Sequence, residues 1–414
     1  MTPHDHSPAL GRLFGPLLDD LARAWGASAL LATRADRAFD GVSDDFSDLF
    51  SLAAVDELIA HRGLRTPFLR LAKNGAPLPE SAFTLGGGVG AGVGDQVSDD
   101  RVRRHFADGA TVVLQGLHRT WEPLTSFAQQ LGADLGHPVQ LNAYITPPQN
   151  QGFAPHYDIH DVFVLQVHGT KRWIVHEPVL RSPLRSQTWD QRAADVARAA
   201  EGTPTLETTL APGDCLYLPR GYIHAAQAQG EVSAHLTIGI HNWTGHHLAD
   251  ALLDAARSAL VADETVRSSL PLGVDVAATD DVRNATEGVR AALLAALRDV
   301  EPDAVAAALL ARSRAGMRAA SVPPLAQVAA ANALAADGVL LVRPHLLAAL
   351  EPAGDGAFAV RSRAGRFELP GALRPALERL LATGSVPVSA LGADADAARA
   401  VARTLLIEGV AVSA

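Results

Sequence analysis

Hydrophobic positions recur at helical spacing near the start of this chain. Leu10, Leu13, Leu17, Leu18 and Leu21 fall on one side of a helix predicted over residues 10–25. Phe46 to Arg62 reads as a capped helical segment, Ser51 leading Val55, Leu58 and Ile59. Thr-Val-Val-Leu-Gln-Gly-Leu at residues 111–117 begins a β-barrel, which a helix over residues 121–135 interrupts. Val139, Leu141, Ala143 and Ile145 then alternate with Gln140, Asn142, Tyr144 and Thr146, predicting a strand with one apolar and one polar face. Which face points inward the alternation leaves open. Asp161 to Val167 is an apolar strand rich in β-branched residues. His168-Gly169-Thr170 reads as a tight turn, after which Lys171 to Val175 returns as a second strand. Gly213-Asp214 and Pro219-Arg220-Gly221 are turns around the short strand Cys215–Leu218, and His224 opens the next strand.

Beyond Trp243 the period changes. Leucine and alanine recur at helical spacing from His246 to about Ala320, and Pro323-Pro324 reads as a linker. From Gly338 the pattern predicts strands at Val339–Val342, Phe358–Arg361 and Arg366–Leu369, then helices, then a last strand at Glu408–Val412. A length of 414 residues suits two or three domains. We divide it into an N-terminal helical and strand segment packing on the barrel (1–110), the barrel core (111–245), a helical region (246–322) and a C-terminal module (323–414).

Composition narrows the function classes. Hydrophobic residues make up 48% of the chain, enough for proper cores, and the net charge is −10. A negative chain disfavours direct nucleic-acid binding and steers basic partners toward it. From Ser321 to Ala414 eight Arg and no Lys face eight Asp plus Glu, so the last module lacks the basic surface of a DNA reader. The single Cys215 excludes an intramolecular disulfide and suits a reducing cytoplasm. Met1 to His6 lacks the basic and apolar regions of a signal peptide, and no apolar run nears the ~20 residues that span a bilayer. The expectation is a cytoplasmic protein without a membrane anchor. His4 and His6 read as a flexible terminus rather than a metal pair. The glycine-rich run from Thr84 to Gly94 has no following Lys-Ser/Thr and no later acid in a strand-turn-helix setting. It reads as a surface loop, not a nucleotide site.

The chemistry concentrates at Pro155-His156-Tyr157-Asp158 and Pro219-Arg220-Gly221-Tyr222-Ile223-His224. On an extended strand His156 and Asp158 point to one face. His224 can close the triangle from a facing strand. Two imidazoles and one carboxylate with open positions are the ligand set of non-haem iron(II) oxygenases. Nothing here selects a tetrahedral hydrolytic zinc site instead. Lys171, Trp173 and Val175 share a strand face. If that face is interior, Lys171 is a buried cation that needs an anion. If it is exterior, Lys171 is solvated and Arg172 lies inside.

Gly213, five residues, Pro219-x-Gly221, two residues and His224 resemble the second motif of the cupin barrel, with Asp158 standing where the first motif usually has a second histidine. Together with Lys171, Asn142-Ala143-Tyr144 and Ser233-Ala234-His235-Leu236-Thr237, the chain resembles the JmjC cupins of the ribosomal-oxygenase type, strongly over residues 40–245 and by layout beyond. The resemblance implies a mainly β, double-stranded β-helix with added helices, then a helical dimerisation region and a winged-helix-like module. It implies an iron(II)- and 2-oxoglutarate-dependent dioxygenase that uses dioxygen to hydroxylate a histidine or arginine of a ribosomal protein. It assigns His156, Asp158 and His224 to iron, Lys171 and Asn142 to 2-oxoglutarate, and Tyr144 and Ser233 to the substrate side. The implied assembly is a homodimer.

Two other classes share these motifs. One is the same chemistry on a biosynthetic peptide or a methyl-lysine. A demethylase wants an aromatic cage, and with 5% aromatics the sequence offers no evident cluster near the motifs. The other is a cupin that binds a ligand without turnover, which an intact triad with its lysine argues against.

Overall fold

The structure is a computed structural model that describes residues 8–37, 44–73, 75–148, 150, 153–335 and 337–414. The reading of His4 and His6 lies outside the described residues. The chain forms two compact units, Met1–Asn242 and Trp243–Ala414.

In the first unit the expected N-terminal helix is two, α1 (Pro8–Phe14) and α2 (Leu18–Ala24), parted by a 3-10 turn at Gly15–Leu17. Pro16 cannot donate the backbone bond that would continue α1. Ser51 caps α3 (Leu52–His61), its Oγ accepting from the Ala54 N–H at 3.3 Å. The helix does not reach back to Phe46, whose φ is +63°. Helices α4 (Asp99–Ala107), α5 (Leu117–Thr120), α6 (Glu122–Leu135) and α7 (Ala193–Ala200) follow.

One large antiparallel sheet holds β1 (Leu30–Ala32), β2 (Leu69–Lys73) and β3 (Ala76–Pro77) from the first 110 residues. The short pair β4 (Thr84–Leu85) and β5 (Gln96–Val97) closes the glycine-rich run as a hairpin outside that sheet. The large sheet continues with β6 (Thr111–Leu114), β7 (Val139–Thr146), β8 (Asp161–His176), β9 (Leu206–Leu210), β10 (Cys215–Leu218) and β11 (Ile223–Ile240). Its order is β1-β10-β8-β11-β7-β6-β2-β3, with β9 also on β8.

The expected turn at His168-Gly169-Thr170 is absent. Strand β8 runs unbroken through it and pairs with β11 from His176↔Ile223 to Asp161↔Ile240. The left-handed Gly169, φ +60°, instead sits opposite a register shift between Gln229 and Ala234. It is a bulge in one ladder. A Cβ there would come within 2.2 Å of the Val232 carbonyl oxygen, so only glycine fits. Val162, Val164, Trp173, Val175, Leu216 and Leu218 pack together on these strands as an apolar core.

The second unit opens with α8 (Gly245–Leu260), α9 (Glu264–Arg267), α10 (Thr279–Arg298) and α11 (Pro302–Gly316). The Pro323-Pro324 pair is no linker: Pro324 starts α12 (Pro324–Asn332), a position where the missing N–H costs nothing. Strands β12 (Val339–Val342), β13 (Ala349–Pro352), β14 (Ala357–Ser362), β15 (Gly365–Pro370), β16 (Ser385–Pro387) and β17 (Ala411–Ser413) form two three-stranded sheets. Helices α13 (Arg374–Thr383) and α14 (Ala395–Ile407) complete the unit. The last strand starts later than expected, because Glu408 still caps α14 and Gly409 turns the chain at φ +68°. Phe358, Val360, Leu377, Leu380, Leu405 and Leu406 lie at the centre of its core. Among the described residues no helix is long and apolar enough to cross a membrane.

Candidate metal centre and its cavity

His156 and His224 face each other across a single antiparallel bridge. The His224 N–H donates to the His156 carbonyl at 2.8 Å, and the His156 N–H donates back at 3.2 Å. Two residues on, the Gly221 N–H donates to the Asp158 carbonyl at 3.0 Å. These backbone bonds hold the HxD segment against the Pro-x-Gly turn. One ligand atom from each of His156, Asp158 and His224 lies within 4.8 Å of the others. The imidazole rings are 4.5 Å apart, and His224 Nε2 is 3.8 Å from Asp158 Oδ2.

The histidine tautomers suit metal binding. His156 Nδ1 lies 2.8 Å from the Ala154 carbonyl and His224 Nδ1 3.1 Å from the Tyr222 carbonyl. A carbonyl only accepts, so each Nδ1 carries the proton and each Nε2 is left with its lone pair. Burial, then the charge of His156, lowers the His224 pKa to about 4, so the ring is neutral at physiological pH. Burial raises the Asp158 pKa, but His160, His224 and His156 outweigh it and hold the carboxyl below its ordinary value. Two imidazole nitrogens and one carboxylate, grouped in this way, fit an ion with open coordination positions.

The centre opens on a cavity of about 350 Å³. Lys171 lines it, 3% exposed, with Nζ donating to Thr146 Oγ1 at 3.1 Å. Among the described residues no carboxylate pairs with this amine, and burial lowers its pKa to about 7. Arg172 lies on the other face, paired with Glu207 at 2.6 Å. The interior reading of the Lys171 face therefore holds. The polar face of β7 also turns inward, because Tyr144 lines the cavity and Thr146 binds Lys171. Burial, then the charge of Asp158, pushes the Tyr144 pKa up to about 12, so the phenol keeps its proton.

Asn142 and Ser233 do not line this cavity. Asn142 Oδ1 accepts from the Gly116 N–H at 3.1 Å. Ser233, fully buried, has its Oγ 2.9 Å from Gln166 Nε2. The sequence reading missed Thr111, Thr146, Phe153, Trp189, Arg70 and His235, all in the cavity wall. Thr146 and His235 were readable as polar positions two residues beyond Tyr144 and Ser233. Trp189 and Arg70 carry no local signal. The expectation of no aromatic cluster is corrected: Tyr144, Phe153 and Trp189, from three separate stretches of chain, all line the cavity, Tyr144 edge-on to Phe153 and Trp189 beside His156.

Lys171 makes folding sensitive to pH. Its folded pKa, about 7, lies below the ordinary 10.5. The unfolded chain thus binds the extra proton between those values, and stability falls as pH drops from 10.5 toward 7. Below 7 both states are protonated and the full cost of the buried charge remains. Lys171→Met in the metal-free protein should raise the melting temperature most near pH 6–7, by the equivalent of roughly a few kcal/mol, and the gain should shrink toward pH 10. Thermal melts across that range check it. A gain independent of pH would contradict a buried, unpaired amine.

Residues 117–248 match the JmjC domain family. Ribosomal oxygenase 1 of Homo sapiens is 37% identical over 268 residues, which cover 60% of this chain and 37% of that one. The Bos taurus protein of that name is 32% identical over 268 residues, 60% of this chain and 35% of the relative. The bifunctional lysine-specific demethylase and histidyl-hydroxylase NO66 of Drosophila grimshawi is 29% identical over 269 residues, 64% of this chain and 35% of the relative. The chain thus spans little more than a third of the length of these curated relatives. Among solved structures, the Escherichia coli ribosomal oxygenase YcfD superposes with a TM-score of 0.53 at 18% identity, over 97% of this chain and 98% of that one. A YcfD structure in complex with cobalt and 2-oxoglutarate gives 0.51 at 17% identity, over 95% and 97%. At such identity the likeness is one of fold.

Proposed function

We propose that this protein is an iron(II)- and 2-oxoglutarate-dependent oxygenase hydroxylating a side chain of a ribosomal protein, a reading supported by the match of residues 117–248 to the JmjC domain family. The observation that carries the reading is the pairing of an open His156–Asp158–His224 centre with a buried amine, Lys171, that has no anion among the described residues. His156, Asp158 and His224 hold iron(II). Bound iron with 2-oxoglutarate and dioxygen supplies the oxidising power that turns a C–H into a C–OH, leaving succinate and carbon dioxide. Lys171 neutralises the far carboxylate of the cosubstrate, and Thr146 fixes its ammonium. Val162, Val164 and Trp173 wall the cosubstrate with apolar surface that excludes water. Asn142 and Ser233 then act from behind the cavity wall, through Gly116 and Gln166, rather than by touching ligand.

The wall also bears on the target. Asp158 is the one acidic side chain lining the cavity among the described residues, while Arg70 and Lys171 are cationic. An arginine target would enter without a counter-charge. A neutral imidazole would sit against Tyr144, Phe153 and Trp189 at no such cost. Histidine is therefore the favoured target, in keeping with relatives whose name includes histidyl-hydroxylase. A second reading, methyl-lysine oxidation, rests on those same rings, which could receive a methylammonium by cation–π contact. The enzyme works in the cytoplasm, with residues 1–110 supporting the 111–245 core.

Residues 246–322 form the dimer interface of this reading, and 323–414 a winged-helix-like module that docks protein rather than nucleic acid. Helix α10 buries none of its described side chains, and Leu248, Leu253, Val282, Val289 and Leu294 are all exposed. Apolar surface of this extent marks an association site.

Incubation with iron(II), 2-oxoglutarate and basic ribosomal proteins should add one oxygen atom to a histidine, read by peptide mass spectrometry with succinate release. Asp158→Ala should abolish both. Oxygen on an arginine, or formaldehyde from a methylated lysine, would overturn the histidine assignment. Light scattering should report a dimer for the whole chain and a monomer for Val282→Asp with Val289→Asp. A dimer surviving that pair would move the interface off α10.

A further inference from the structure

His235 has no role in the reading above, yet it is the least explained polar group in the cavity. It sits on β11 directly across from Tyr144 on β7 and Gln166 on β8, so its side chain shares their interior face. It is 3% exposed and lines the cavity beside Lys171 and His224. Its ring stacks on Tyr144, 5.1 Å between centroids and 4° from parallel, and meets Trp173 edge-on at 5.4 Å. The Nδ1 is enclosed without a hydrogen-bond partner.

Packing alone does not account for a histidine here. Both aromatic contacts would be made by phenylalanine, which carries no polar atom to desolvate. A buried imidazole with an unpartnered nitrogen costs stability and gains nothing in the protein alone. An enclosed nitrogen is better left as a lone pair than as an unpaired N–H. The ring proton then sits on Nε2. Burial, then the neighbouring charge of Lys171, holds the His235 pKa well below its ordinary value and keeps the ring uncharged, so it acts as a donor of one hydrogen bond. The cation beside it, Lys171, likewise has no anion. Two groups that both want an acceptor line the same pocket, where among the described residues Asp158 is the one carboxylate.

We propose that His235 is a second anchor for the dicarboxylate cosubstrate, its imidazole N–H donating to the far carboxylate that Lys171 neutralises. The inference rests on the oxygenase reading and extends it to a residue with a specificity role. Lys171 supplies charge, which any anion satisfies. His235 adds a directional bond that fixes where that carboxylate lies and hence the length of acid the pocket accepts.

The test compares two 2-oxo acids of five carbons, 2-oxoglutarate and 2-oxovalerate, which lacks the far carboxylate. Affinities are measured calorimetrically on manganese(II)-loaded protein, without turnover. His235→Phe keeps the stack on Tyr144 and removes the N–H. It should weaken 2-oxoglutarate about tenfold or more, as expected for a hydrogen bond to a charged group, and leave 2-oxovalerate unchanged. Equal weakening of both acids, or of neither, overturns the proposal, because a merely structural ring does not distinguish them. If the Phe variant does not fold, the imidazole ¹⁵N–H spectrum of zinc-loaded wild-type protein decides. A His235 signal that 2-oxoglutarate shifts and 2-oxovalerate does not supports the bond, and an identical response to both refutes it. Wild-type protein that fails to bind 2-oxoglutarate at all would overturn the oxygenase reading and this proposal with it, whereas the outcomes above touch this proposal alone.

Discussion

The pairing of β8 with β11 is the constraint on which the site depends. One ladder carries Lys171 and Trp173 on one strand and His224 and His235 on the other. Side chains alternate across a strand, so a one-residue slip of either strand would turn its own cavity-facing residues outward. The bulge at Gly169 pins the register: the glycine has no room for a Cβ against the Val232 carbonyl. Below it the ladder positions Gln166 and Ser233, which bond each other inside the sheet. Above it the ladder delivers Lys171 to Thr146 and His224 to the bridge with His156.

This arrangement leaves stability unclaimed in the empty protein. Among the described residues, a buried amine without a counter-ion, an imidazole whose Nδ1 has no partner and the unpartnered Trp173 Nε1 all line one cavity. In the proposed reading a dicarboxylate relieves the first two of these costs. On that reading, binding affinity comes from groups held at a loss by the surrounding core, as in a preorganised site. The metal ligands follow the same logic. Backbone carbonyls take the Nδ1 protons, so no reorganisation is needed to present Nε2 lone pairs.

The sequence made the ligands legible because ligand chemistry resides in residue type and short spacing. His156, Asp158 and His224 come together as their motifs suggest. Strand periodicity separated Lys171 from Arg172 but could not say which was inside, since a period of two defines two faces and names neither. The bulge was illegible for a related reason: a left-handed glycine serves a turn and a bulge equally well, and only the partner strand decides. The resemblance assigned Asn142 to the cosubstrate and Ser233 to the substrate, whereas their side chains bond Gly116 and Gln166 outside the cavity lining. Trp189 and Arg70 enter the wall from a loop and a distant strand, where no local pattern points to them.

The central claim is that the buried amine of Lys171 exists to hold the far carboxylate of 2-oxoglutarate. Calorimetric titration of 2-oxoglutarate into manganese(II)-loaded wild type, Lys171→Ala and Arg172→Ala tests it most directly. Breaking a buried pair by removing one partner costs about 3–5 kcal/mol, or roughly two to four decades of affinity. The account predicts that loss for Lys171→Ala with manganese binding intact, and near wild-type affinity for Arg172→Ala. Unchanged affinity in Lys171→Ala, or the loss appearing in Arg172→Ala instead, would contradict it.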